Sequence, residues 1–391
     1  MERSFLFLLI SRIARSIALV YVTLSVPLYL SYLGLSVINV GLIVFGVILF
    51  YSLLSIGLGL FGDRYGYKKS LIIGDLLPLI GVSLLSLTSS PQVIIPILII
   101  TGVGGGASGG LRGMWSPGIS ALVASNWREE RERVKKMGLL SSGASSASII
   151  GSLLLSLQPL LHLPTIESYR MLYAVSAVFL FISLVSIVMV EEVKRPKKTS
   201  KVMKKSSLLY ILRVIASNSI TGAGIGLAIP LLPLWFKLYY HVNEEEIGLA
   251  FTFSYIMTSL GSFLASRIKG DTLFLASFTR VFNGLFLIVM AFSPWFILSA
   301  VLYALRGFNA GIGAPNRTAV NVRGISEEDY GAATSLQGVS TRLSQLTSGA
   351  SGYLMDVWLP LPEILGGGLQ LIGGLVYYKL LGKATNKEVN R

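Results

Sequence analysis

The chain contains no cysteine, and only 13% of its 391 residues are charged. The lack of cysteine excludes disulfides, thiolate nucleophiles and cysteine metal sites. The two histidines, His162 and His241, fall in predicted loops far apart in the sequence. We therefore expect no histidine-based catalytic centre, no metal site and no cofactor. Soluble globular proteins carry about a quarter charged residues, so this chain has too little charge to cover a water-facing surface.

Apolar residues take the place of the missing charge. They make up 53% of the sequence, and the mean hydropathy is +0.70. Many occur in runs of about twenty, the length that a helix needs to cross a hydrocarbon core roughly 30 Å thick. Examples are Val40–Leu60, Leu172–Val190, Phe274–Phe292 and Ile364–Leu381. The first apolar stretch continues past Arg12 and Arg15, so we expect no cleavable signal peptide. The composition predicts an all-α integral membrane protein.

The apolar stretches predict twelve transmembrane helices. They cover residues 5–33, 38–60, 71–89, 92–116, 136–157, 169–190, 208–236, 247–268, 272–292, 295–316, 331–355 and 363–382. A long lysine-rich stretch, residues 191–206, separates the first six spans from the last six. We therefore predict an N-terminal six-helix bundle over residues 1–190, a basic linker over 191–206, and a C-terminal six-helix bundle over 207–391.

Basic residues are concentrated in every second loop. The loops between them carry acidic residues instead, such as Glu167 and Glu244. Because loops rich in Lys and Arg stay on the cytoplasmic side, the pattern predicts a multi-pass protein of the plasma membrane with the linker and both termini in the cytoplasm. The net charge of +14 is then a topology signal, and we expect no nucleic-acid partner.

The two halves of the sequence resemble each other. Span one contains Ser-Arg-Ile-Ala-Arg-Ser at positions 11–16, and span seven contains Leu-Arg-Val-Ile-Ala-Ser at 212–217. Span two opens with Gly41 and Leu42, and span eight with Gly248 and Leu249. These pairs indicate a duplicated six-helix unit with pseudo-two-fold symmetry. Such duplication is typical of secondary transporters, whose substrate site lies near the midplane between the repeats.

A short motif lies between spans two and three. It contains Gly59, Asp63, Arg64, Gly66 and Lys68 within the segment Gly-Leu-Phe-Gly-Asp-Arg-Tyr-Gly-Tyr-Lys-Lys. Gly66 permits a tight turn, and a carboxylate at this position can pair with an arginine or cap a helix. The segment resembles the cytoplasmic signature loop of the major facilitator superfamily. The resemblance implies a fold of two six-helix bundles and a loop that latches the two halves on the cytoplasmic side.

Ionisable residues inside membrane spans are costly and indicate function. Arg306 in span ten and Arg342 in span eleven lie about eleven residues inside their spans, near the midplane at 1.5 Å per residue. Asn309 shares a helix face with Arg306, and Gln345 shares one with Arg342. No Asp or Glu is expected near the centre of a span, since Asp75 is predicted close to the inner end of span three.

The family resemblance adds further candidates for a central cavity. In the family, spans one, four, seven and ten line the cavity, which implies cavity positions for Arg15, Arg112, Arg213 and Arg306. The alternative for Arg15 and Arg213 is that they reach the cytoplasmic interface or hold helices together. Arg306 and Arg342 could equally bond to backbone carbonyls. Arg280, on the peripheral span nine, is expected to be structural.

These features predict a secondary transporter that moves a small solute by alternating access, with an organic anion as one candidate substrate. Asp63 and Asp75 are the candidates for proton coupling, whereas facilitated diffusion or solute exchange would need neither. The alternatives are a proton-coupled multidrug or sugar carrier and, from another class, a non-transporting membrane receptor. We expect a monomer whose partners are the solute and membrane lipids, and no enzymatic activity.

Overall fold

The computed structural model describes residues 2–104, 116–127, 129–193, 204–265, 267–268, 270–326 and 329–389. Regular structure in these ranges is entirely helical. Ten of the helices within them are long and apolar enough to cross a membrane. The chain divides into two compact units, which are residues 1–197 with 233–252, and residues 198–232 with 253–391.

The first unit is built mainly from the helices of the N-terminal half. They are α1 (Glu2–Tyr32), α2 (Val37–Tyr65), α3 (Tyr67–Leu87), α4 (Pro91–Thr101), α5 (Ser116–Asn126), α6 (Glu130–Ser156) and α7 (Thr165–Val188). Helix α1 packs against α6 and α7, and α3 packs against α7. Most of α9 (Leu232–Tyr240) and the start of α10 (Glu244–Ala265) also belong to this unit.

The second unit contains the remaining helices. They are α8 (Lys205–Ala228), the rest of α10, α11 (Thr272–Ala291), α12 (Phe296–Val322), α13 (Tyr330–Ser344), α14 (Ser348–Val357) and α15 (Leu361–Val389). Helix α15 packs against both α8 and α11. Glycine residues allow α15 to approach α11 closely. A Cβ on Gly284 would lie 2.3 Å from the carbonyl oxygen of Gly367, and one on Gly367 would lie 2.6 Å from that of Gly284.

Three predicted spans are interrupted, each for a local reason. The span predicted over 92–116 stops at Thr101, because Gly102 and Gly104 adopt φ of 65° and 87°, which a helix does not allow. Span seven divides into α8 and α9 around Pro230, since proline has no N–H to continue the helical bonds. Span eleven divides into α13 and α14 at a 3-10 turn, Gln345–Thr347.

Most of the predicted linker, residues 194–203, lies outside the described residues. The predicted bundle boundaries at 190 and 207 therefore stay a prediction. The segment Pro233–Thr252, which the sequence assigned to the second bundle, groups with the first unit by its contacts.

Candidate functional site

A buried ion pair lies inside the first unit. Nη1 of Arg15, on α1, donates to Oδ1 of Asp75, on α3, and to the carbonyl oxygen of Gly74 at 3.1 Å. The hydroxyl of Ser183, on α7, donates to the other carboxylate oxygen at 2.5 Å, and lies 2.8 Å from the hydroxyl of Ser11. Arg15 is 1% exposed and Asp75 is 0% exposed. The network joins three helices and balances its own charge.

This arrangement corrects two predictions. Helix α3 begins at Tyr67 rather than at residue 71, so Asp75 lies near the middle of the helix and not at its inner end. The prediction that no acidic residue lies near the centre of a span is therefore wrong. The family resemblance implies a cavity position for Arg15, but its guanidinium holds α1 to α3, in line with the alternative that it holds helices together. The sequence had no signal for the partners Ser11 and Ser183, because serine is common throughout these helices.

The other predicted cavity arginines have different surroundings. Arg213 is exposed on α8. Arg112 lies outside the described residues. Arg306 is half-buried near the middle of α12, and its Nη2 donates to Oε1 of Gln370, on α15, at 3.4 Å. The guanidinium carbon of Arg306 is 5.8 Å from the ring centroid of Tyr303. Gln370 is a site residue that sequence reasoning missed.

Asn309 does not face the same partners as Arg306. Its side-chain amide donates to Oδ1 of Asn283 at 2.8 Å and to the carbonyl oxygen of Thr279 at 2.5 Å, both on α11. These bonds join α12 to α11, so Asn309 has a structural role in this conformation. Asn309 and Arg306 were predicted to share a helix face, but Asn309 bonds to α11 and Arg306 bonds to α15.

Arg342 and Gln345 flank the break in span eleven. Arg342 is half-buried in the last turn of α13, and Gln345 opens the 3-10 turn. The turn packs closely on α8, because a Cβ on Gly226 would lie 2.5 Å from the carbonyl oxygen of Gln345. The hydroxyl of Thr347 also donates to the carbonyl oxygen of Ala223, on α8, at 2.7 Å. Both predicted site residues thus lie beside α8.

The interior of the second unit is electropositive. Arg280 and Arg306 lie well inside α11 and α12, and Arg342 lies in the last turn of α13, at the break in span eleven. Among the described helix residues of this unit, the acidic ones are Asp356, Glu363 and Glu388, each within two residues of a helix end. Arginine stays protonated in proteins. The middle of this unit therefore favours negative charge.

The signature loop is held by a residue that the motif does not include. A side-chain oxygen of Glu192 accepts from the backbone N–H of Tyr67 at 2.8 Å, and its other oxygen accepts from that of Lys68 at 3.0 Å. Glu192 thereby caps the start of α3. Gly66 has φ of 110°, which favours glycine. Asp63 is exposed and accepts from the hydroxyl of Tyr67 at 2.6 Å.

Other members of the predicted latch lie on the surface near this turn. Arg64 is exposed, with its guanidinium carbon 5.4 Å from the ring centroid of Tyr65, and Lys68 is half-buried. Around Gly59 there is open space, since a Cβ there would meet no atom within 4 Å. The role of these residues as a latch stays a prediction.

The arrangement of helices matches known transport proteins. A family model described as the Major Facilitator Superfamily matches residues 5–221 and again residues 214–390. The chain belongs to the major facilitator superfamily. The family and fold predicted from the signature loop and the twelve spans are thereby confirmed. Among functionally curated proteins, none matches the chain.

Solved structures of other major facilitator proteins share its fold. A peptide transporter of the POT family in an auto-inhibited form aligns with a TM-score of 0.76 at 13% identity, covering 97% of each chain. A nucleoside transporter aligns with a TM-score of 0.73 at 11% identity, covering 96% of this chain and 99% of its own. A bacterial homolog of the human lysosomal transporter Spinster aligns with a TM-score of 0.68 at 13% identity, covering 97% and 96%. This major facilitator protein is a multi-pass secondary transporter.

Proposed function

We propose that the protein carries a small organic anion across the plasma membrane by alternating access, with both termini in the cytoplasm. The observation that carries the proposal is the charge distribution of the second unit. Its described helices hold Arg306 in the middle of α12 and Arg342 at the break in span eleven, and place their carboxylates only near the helix ends. A region of one charge sign attracts solutes of the opposite sign.

Arg306 is the residue best placed to meet the solute. It lies ten residues after Phe296, the first residue of α12, which is about 15 Å along the helix. It is half-buried, so part of the side chain is accessible to a small molecule. A guanidinium binds carboxylate or phosphate through two parallel N–H groups, a geometry that lysine cannot reproduce. Arg342, also half-buried, is the second candidate.

Replacement of Arg306 tests the proposal. In purified protein reconstituted in liposomes, Arg306→Lys should retain weak uptake of the anion, and Arg306→Gln should lose it. Neither change should lower the melting temperature greatly, since the solute is the proposed partner of the charge. Arg323→Gln is the matched control, because Arg323 is exposed at the end of the same helix. Normal anion uptake by Arg306→Gln, or misfolding of that variant alone, would refute the assignment.

For energy coupling, the ion pair of the first unit favours proton symport over simple facilitated diffusion. Asp75 is the stronger of the two predicted coupling residues, because it is buried against Arg15 while Asp63 is exposed. Protonation of Asp75 would release Arg15 and change how α1 packs on α3. An inward proton gradient imposed on proteoliposomes should therefore accelerate uptake, and an unchanged rate would argue for uncoupled transport.

A further inference from the structure

We propose that Arg280 holds a small inorganic anion such as chloride inside the second unit, between α8, α11 and α15. This site is separate from the proposed path of the transported solute. Gln370, which contacts Arg306, and Tyr377, which contacts Arg280, are seven residues apart on α15, or about 10 Å along the helix.

The contacts of Arg280 satisfy only part of its guanidinium. Its Nη2 donates to Oδ1 of Asn218, on α8, at 2.5 Å, and its guanidinium carbon lies 3.8 Å from the ring centroid of Tyr377, on α15. The residue is 5% exposed. Its Nε and Nη1 are buried and have no hydrogen-bond partner among the residues that the structure describes. Two buried donors are therefore left without an acceptor among the described residues.

The charge of Arg280 also lacks a nearby carboxylate within the described part of the second unit. Arg280 lies eight residues after Thr272, the start of α11, or about 12 Å into the helix. The buried carboxylate of Glu363 lies fourteen residues before Tyr377 on α15, or about 21 Å away along the helix. A cation this deep is expensive without a counter-charge. Water could accept its hydrogen bonds but would not balance its charge.

The packing around Arg280 limits the size of the anion. A Cβ on Gly374, of α15, would lie 3.0 Å from the Cβ of Arg280. One turn further along α11, Gly284 is in backbone contact with Gly367 of α15. Because α11 and α15 touch at both places, the helices leave little room beside Arg280, and we infer that the ion is a small one. An organic anion would have to separate the helices.

The test is the dependence of the melting temperature on the anion present. Purified protein is melted in sodium chloride and in sodium gluconate at equal ionic strength. A ligand that binds the folded state alone raises its melting temperature as its concentration increases. We expect wild type to melt several degrees higher in chloride, by a difference that grows with chloride concentration. Equal melting temperatures in the two salts would overturn the proposal.

Two variants locate the effect. Arg280→Gln should remove the difference between the salts, and Arg323→Gln should keep it. Asn218→Asp supplies a carboxylate to Arg280 from within the protein, so it should also remove the difference while keeping the melting temperature at or above that of wild type in gluconate. It keeps the test decisive if Arg280→Gln does not fold. A chloride effect that persists in Asn218→Asp would place the anion elsewhere and refute the site.

Discussion

In each half of the chain, the third long helix carries one charged residue eight positions after its first residue. In α3 it is Asp75, and in α11 it is Arg280. Asp75 is bonded to Arg15 on α1, the first span of its half, and to Ser183 on α7, the sixth span. Arg280 is bonded to Asn218 on α8, the first span of its half, and stacks on Tyr377 of α15, the sixth span.

The two positions contact equivalent helices of the two halves, but the charges of their contact residues differ. Asp75 has a cationic partner in Arg15, so this pair is neutral, with a second buried arginine, Arg12, one turn away on α1. Arg280 has an amide and an aromatic ring, so its site stays positive among the described residues. In this protein, equivalent positions of the two halves therefore both hold a buried charge, while the residues on the neighbouring helices give it a charged partner in one half and an amide in the other.

The largest expected effect comes from removing the carboxylate of the Arg15–Asp75 pair. Asp75→Asn keeps an acceptor for Ser183 but leaves Arg15 buried without a counter-charge. Breaking a buried pair in this way costs about 3–5 kcal/mol, so the melting temperature should fall sharply. Replacing both partners, Arg15→Met with Asp75→Leu, should recover much of the loss. If Asp75→Asn melts like wild type, the ion pair does not stabilise the first unit.

Removing the charge of the positive site should cost less. Arg280→Gln loses a hydrogen bond and a cation–π contact, which together are worth about 1–3 kcal/mol, but it leaves no buried charge behind. In gluconate, its melting temperature should therefore fall less than that of Asp75→Asn. Thermal melts of both variants in one buffer measure the difference. An equal or larger loss for Arg280→Gln would mean that the two sites are compensated alike.

The smallest effect on stability is expected at the signature loop. Asp63 is exposed and accepts only from Tyr67 among the described residues. Asp63→Asn should leave the melting temperature nearly unchanged while slowing transport, because a small change in the balance of conformations alters the rate of alternation. Uptake by proteoliposomes, with Arg323→Gln as an exposed control outside this segment, measures it. Uptake at the wild-type rate would make this loop a connector only.

The sequence predicted the fold well, because the length of an apolar run and the charge of a loop depend on the bilayer rather than on tertiary packing. It did not predict the bonds of the charged residues. Asp75 was misplaced because α3 extends four residues beyond its apolar run, through Tyr67, Lys68 and Lys69. The family resemblance predicts a structural role for Arg280, because its helix is peripheral in the family. Whether a buried charge meets a serine, an amide or a carboxylate depends on neighbouring helices, which a linear pattern does not specify.

We propose that the electropositive second unit selects an anionic solute. The most direct test is the initial rate of uptake of a small carboxylate and of its neutral amide analogue by the same proteoliposomes. The two solutes are nearly equal in size, so they differ mainly in charge. We predict that the carboxylate is taken up and competes with other carboxylates, while the amide is not transported. Equal uptake of both, or preference for the amide, would contradict the claim.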